Sequence, residues 1–226
     1  MSTTRQMKPV LKAIGAANDD VLVSGRDIII RPLNHIITGI LTDHFLDSDS
    51  FRAFYWNILL FEPSKISGFD GSFSIRSPSG GAWSLKEQSA SFVEMCTEKV
   101  LPQQRARNSI HVLRDHWRRL LTDGKRFQQA NWKSDFAWAS LAIGELDDAL
   151  PHLNEDQSWN APYHVRAMLN AESPGLGDRL AEQGNALGAK DRAALAAILH
   201  KWEEYTVTNL KLTKYWEPSP FPLEMM

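Results

Sequence analysis

The spacing of hydrophobic positions changes along the chain, from a period near two in the N-terminal third to a helical period after residue 86. Ahead of the first strands, Met7, Val10, Leu11 and Ile14 fall at three-and-four spacing and predict a helix over 5–17. Pro9 then belongs in its first turn, where a missing N–H costs little. Asp19 and Asp20 interrupt that pattern. Val21 to Val23 and Ile28 to Ile30 are β-rich runs on either side of Ser24-Gly25-Arg26, which predicts a hairpin. In 36–45, Thr38, Thr42 and His44 share one parity while Ile37, Leu41 and Phe45 share the other, the alternation of a strand with one solvated face. In 51–61 both parities are apolar: Phe54, Trp56, Ile58 and Leu60 on one, Tyr55, Leu59 and Phe61 on the other. Such a strand should be central and covered on both sides. The polar residues 47–50 turn the chain between these two strands, and 71–76 and 82–85 add short strands around a turn at 77–81.

From residue 86 onward Ala, Leu, Glu and Arg recur at helical spacing. Helices are expected at 86–101, 107–122, 134–152, 161–171, 176–187 and 190–213. Pro218, Pro220 and Pro222 should keep the tail extended. A helix, then strands, then a run of helices is the segregated order of an α+β fold, with an antiparallel sheet and an all-helical C-terminal half. The boundary falls at 85/86: residues 1–85 form the helix and sheet, and 86–226 form helices expected to pack on that sheet as one structural unit.

Composition narrows the functional classes. Hydrophobic residues make up 43% and charged residues 23%, so the chain can bury a core and is not expected to be disordered. The eight tryptophans are mostly expected in that core. The single cysteine, Cys96, excludes an internal disulfide and a cysteine-rich zinc site. Residues 1–20 lack a long apolar stretch, and no segment reaches the length of a membrane span. The expected setting is therefore cytoplasmic, without membrane association.

Catalytic and cofactor patterns are missing from the sequence. The stretch GFDGSFSIRSPSGG (68–81) has neither Walker nor dinucleotide spacing and reads as turns. His111 and His116 are five apart, which places them on different helix faces, and HExxH, CxxC and GxSxG are absent. Cys96 lies in a core-facing stripe with Phe92, Val93 and Val100. The acidic pairs Asp147-Asp148, Glu155-Asp156 and Glu203-Glu204 fit solvated helix faces or helix ends. No metal, cofactor or catalytic residue is assigned. An enzyme would need a site assembled from distant residues, for which Arg31, His35, Asp43 and His44 on the sheet are the candidates.

Charge is nearly balanced overall, at −2, but not locally. Residues 101–126 gather Arg105, Arg107, Arg114, Arg118, Arg119, Lys125 and Arg126 against only Asp115 and Asp123. Within 107–122, Ile110, Leu113, Trp117 and Leu120 should face the core. Arg107, His111, Arg114 and Arg118 line an adjacent stripe, with Arg119 beside it. Such a stripe can pair internally with the acidic C-terminal third, bind an acidic protein partner, or contact phosphates. The small net charge disfavours nucleic acid.

Two resemblances add to this. FAWASLAIGELDDALPHL (136–153) resembles half of a tetratricopeptide unit: a helix ends at Gly144, a short turn follows, and Ala149 allows a close helix approach. No clear second copy follows, so an array is not expected. RPLNHIITGILTDHFLDSDSFRAFYWNILLFEP (31–63) resembles strand pairs of uncharacterised bacterial α+β proteins, some similar to immunity proteins that neutralise a toxin by binding it. That resemblance implies a binding role and assigns no residues. The leading expectation is a protein-binding module, a toxin-neutralising protein or a complex subunit, with Arg107, His111, Arg114, Arg118 and Arg119 as its contact residues. A non-local enzyme and a nucleic-acid-associated protein are the alternatives.

Overall fold

A computed structural model describes residues 4–44, 49–62, 73–123, 129–156 and 184–226. The fold is α+β: an N-terminal helix, a six-stranded sheet, then helices. The chain divides into two compact units, Met1–Ile58 with Phe69–Asn108, and Leu59–Gly68 with Ser109–Met226. The division differs from the 85/86 boundary, because the first long helical stretch after the sheet belongs to the sheet's unit.

In the first unit, α1 (Thr4–Ala16) buries Met7, Val10, Leu11 and Ile14, the stripe expected from the sequence. Pro9 sits inside this helix rather than in its first turn. Strands β1 (Val21–Ser24) and β2 (Asp27–Ile30) pair antiparallel around a turn in which Gly25 takes a φ of 62°. β2 pairs antiparallel with β3 (Ile36–His44), and β4 (Ser50–Leu59) follows β3 in the sheet. Short strands form within both expected segments, β5 (Phe73–Ile75) and β6 (Trp83–Ser84), and each pairs antiparallel with β4. β4 is thus an inner strand, as its two apolar faces require.

One face of the sheet contributes Ile28, Ile30, Ile40, Phe51, Ala53 and Ile75 to a core shared with α1, Trp83 and Phe92. Phe51, Trp83 and Phe92 interlock there, with centroids 5.0–6.5 Å apart. On the other face Ile29, Ile37 and Trp56 are buried. Gly39 is required on that face: a Cβ at this position would collide with the Ile28 carbonyl and lie 2.9 Å from the Trp56 ring.

Helix α2 (Leu85–Met95) starts where Ser84 Oγ accepts from Glu87 N–H at 3.2 Å and Asp49 Oδ1 accepts from Lys86 N–H at 3.0 Å. The expected end near 101 is not observed. The chain runs on through a π-helical stretch, Cys96–Val100, into α3 (Leu101–Ala106). Propensity carries no mark of a π turn, so the sequence shows only a continuous helix. Cys96 lies in the core, and burial pushes its thiol well above the ordinary range.

In the second unit, α4 (Ile110–Thr122) packs on α5 (Gln129–Ala142), and α5 packs on α6 (Leu146–Asp156). The span 134–152, expected as one helix, is therefore two, broken at Gly144. The expected helix at 161–171, and most of that at 176–187, lie outside the described residues; 184–188 is helical. The last long helix, α7 (Arg192–Asn209), is capped by Asp191, whose Oδ1 accepts from Ala194 N–H at 3.0 Å. The tail is not simply extended: Thr213–Tyr215 and Pro222–Met225 form 3-10 turns, and Phe221 and Leu223 are buried. The tryptophans follow the core expectation at Trp56, Trp83, Trp117, Trp138 and Trp202, all buried.

Candidate functional site

The basic stripe does not stay together as one surface feature. Arg107 ends α3 in the first unit, where its guanidinium lies 5.7 Å from the centre of the Tyr55 ring. His111, Arg114, Arg118 and Arg119 lie on α4 in the second unit. On α4, Ile110, Leu113 and Trp117 are buried as their spacing predicts, and Leu120 is half-buried.

Arg114 falls on the buried side of this helix. Its side chain is 10% exposed, and its guanidinium pairs with Glu145 and, at 3.0 Å, with Asp115. Arg118 reaches Asp148 at 2.5 Å and Glu145 at 3.3 Å, and its guanidinium lies 5.5 Å from the centre of the Phe136 ring. Both arginines are thus held by the α5–α6 connection. That connection is itself fixed by local chemistry. Gly144, at a φ of 85°, ends α5: its N–H donates to Leu141 O at 3.0 Å, and Glu145 N–H donates to Ser140 O at 2.9 Å. This pair of bonds is a Schellman ending, which aims the following residue away from the helix it closes. Glu145 is that residue. Asp147 and Asp148 occupy the first turn of α6, where carboxylates oppose the positive helix end. Asp147 is also held below the ordinary carboxylate range by Lys190, whose Nζ lies 2.8 Å away.

What remains on the outer side of α4 is His111, Val112, Asp115 and Arg119, all exposed, with the outer part of Arg118. Val112, at 39% exposure, is one of few large apolar side chains so exposed among the described residues. Val112, Asp115, Arg118 and Arg119 line an open groove of about 460 Å3. Arg119 donates from Nε to the Asp115 carbonyl at 3.3 Å, and the residue is exposed. The groove therefore offers one apolar contact, a carboxylate and the Arg119 guanidinium, beside the flank of Arg118, whose own guanidinium is paired within the unit.

The candidates for a site on the sheet are not gathered. His35 precedes β3 and Asp43 lies near its far end, about 26 Å away along an extended strand. Asp43 faces Arg26 at 3.7 Å, and Arg31 Nη2 donates to the Asp19 carbonyl at 2.5 Å. The described part of the glycine-rich stretch makes a turn, with Gly80 N–H donating to Ser77 O at 2.8 Å. Among the described residues no group of three or more His, Cys, Asp or Glu converges to hold a metal ion. Among them, too, no helix is long and apolar enough to cross a membrane.

Sequence reasoning did not foresee a second arginine site, in the first unit. Arg105 grips Asp20 through two bonds, Nε to Oδ2 at 2.7 Å and Nη2 to Oδ1 at 2.6 Å, and Nη2 also donates to Asn18 Oδ1 at 2.9 Å. The guanidinium holds the Asp20 carboxyl below its ordinary range, against the opposing effect of burial. This fork ties α3 to the loop after α1. Its partners are 85 residues apart, and no local pattern joins them. Comparison with protein-family models, with curated proteins and with solved structures finds no match to this chain.

Proposed function

We propose that the chain is a protein-binding module that engages an acidic partner through the outer face of α4. The groove lined by Val112, Asp115, Arg118 and Arg119 carries this reading. An exposed valine beside the Arg119 guanidinium suits a partner that presents an apolar side chain with a neighbouring carboxylate. Arg119 supplies the charge that internal pairing has not used, with the exposed His111 ring on the same side of the helix. Arg114 contributes by holding the helix in place and not by contact, and Arg107 lies outside this surface in the proposal. A toxin-neutralising role, which the 31–63 resemblance implies, is the finer form of the same reading.

Affinity purification of the tagged protein from its native host, with mass spectrometry and nucleic-acid quantification, tests the reading. A stoichiometric protein partner lost on Arg119→Glu or Val112→Asp supports it. An eluate without a protein partner contradicts it, and salt-sensitive recovery of nucleic acid alone would replace it with a phosphate-binding role.

A further inference from the structure

Helix α1 carries a second basic face, drawn from a stretch without an acidic residue. Residues 1–18 hold Arg5, Lys8 and Lys12 and no Asp or Glu. At about 100° per residue, Met7, Val10, Leu11 and Ile14 share one side of α1, and all four are buried. Arg5, Lys8 and Lys12 fall within about 60° of arc on the opposite side, and all three are exposed. Among the described residues none of the three has an ion pair or a side-chain hydrogen bond, whereas Arg114 and Arg118 on α4 are paired within their unit. Pro9 and Ala16, exposed on the same side, add no charge and little bulk. α1 packs on β1 and α2, and Gly15 lies so close to β1 that a Cβ there would stand 3.0 Å from Val23 Cγ2. The row of cations is therefore presented by a helix fixed to its unit.

We propose that this row is a nucleic-acid contact, in which Arg5, Lys8 and Lys12 neutralise successive phosphates of one strand without reading sequence. From Arg5 to Lys12 the helix rises about 10 Å, and the phosphates of one duplex strand advance about 3.4 Å each, so three cations meet about three phosphates. Proline and alanine beside the cations offer base edges no side-chain hydrogen bond, which confines the contact to the backbone. The net charge of −2 does not oppose this, because the charges that act on a phosphate are those within a Debye length of about 8–10 Å. Other anionic surfaces fit less well. A membrane-surface helix buries its apolar side among the lipid headgroups, and in α1 that side is committed to the core. Attraction to anionic lipid by charge alone takes clusters of about four to eight cations. An acidic protein surface is held by large apolar or aromatic anchors, and the exposed side of α1 has none.

The row lies in the first unit and does not depend on the α4 groove of the second. Its test is binding of the full chain to a short fluorescein-labelled DNA duplex of arbitrary sequence, followed by fluorescence anisotropy over a range of salt. Three phosphate contacts predict a slope of log K against log salt of about −2.7, or about 40-fold weaker binding at about 200 mM than at about 50 mM salt. The double variant Lys8→Gln, Lys12→Gln, at exposed positions, should keep its circular dichroism spectrum and lower the slope to about −0.9. The double variant Lys211→Gln, Lys214→Gln removes as much charge from the second unit and should leave the slope unchanged. Phosphatidylserine vesicles and polyglutamate are assayed in parallel as the competing anionic surfaces. Absence of salt-sensitive duplex binding would overturn the proposal, as would a slope that the Lys8–Lys12 variant leaves unaltered. Binding to the vesicles or to polyglutamate in place of the duplex would overturn it equally.

Discussion

The two sides of α4 carry the same residue type to different ends. On the inner side Arg114 is nearly buried and locked to Glu145 and Asp115, with Arg118 spanning Glu145 and Asp148 beside it. On the outer side Arg119 is exposed and joined only to its own helix through the Asp115 carbonyl in the described contacts. An arginine stripe read at three-and-four spacing cannot separate these roles, because the deciding partners, Glu145 and Asp148, come from the turn before α6 and its first turn, about 30 residues further along the chain. Inner arginines hold helices together, while the outer one stays exposed on its own helix.

The comparison is broken most strongly at Arg114. Arg114→Ala should destabilise the protein by about 2 kcal/mol, because it removes charge-assisted bonds and leaves Glu145 without its main partner. Glu145 keeps some access to water, at 38% exposure, which holds the cost below that of a fully buried pair. Urea unfolding monitored by circular dichroism measures it. A second, smaller effect lies at Asp27, whose carboxyl is pushed up to about 6 by burial on β2. The folded state then binds a proton more tightly than the unfolded one, so stability falls as pH rises from about 4 to about 6 and stays lower above. Asp27→Asn should add about 1 kcal/mol at pH 8, allowing for solvent screening, and nothing at pH 4; unfolding curves at the two pH values give the difference.

The Arg105–Asp20 fork has the opposite sign. Its carboxyl is held low, so its stabilisation is present above the ordinary carboxylate range and is lost as pH falls through the lowered value. Both side chains are about one-third exposed, so Asp20→Ala should cost about 1 kcal/mol at pH 7, with the cost vanishing in strong acid. The smallest expected change in stability is at the outer face: Arg119→Glu should shift unfolding by less than about 0.5 kcal/mol.

The sequence made the α+β order legible because period-two and helical patterns occupy separate stretches, and β4 showed its inner position through Phe54, Trp56 and Ile58 beside Tyr55 and Leu59. Gly144 marked the α5–α6 break through its left-handed preference. Three features had no local mark. The π turn at Cys96–Val100 differs from an α-helix by its bonding and not by its composition. The buried tail turned on Phe221 and Leu223, while its prolines suggested only extension. The partners of the arginines are set by tertiary packing: Arg105 meets a carboxylate from the loop before β1, and Arg114 one from the turn before α6.

The most direct test compares Arg114→Ala and Arg119→Glu side by side, with unfolding free energy and recovery of the proposed protein partner from the native host measured on each. The expected result is a crossed pattern: Arg114→Ala loses stability and, where it remains folded, still recovers the partner, while Arg119→Glu keeps its stability and recovers none. Full partner recovery by Arg119→Glu, or loss of stability equal to that of Arg114→Ala, would contradict the division of α4 into a structural side and a docking side.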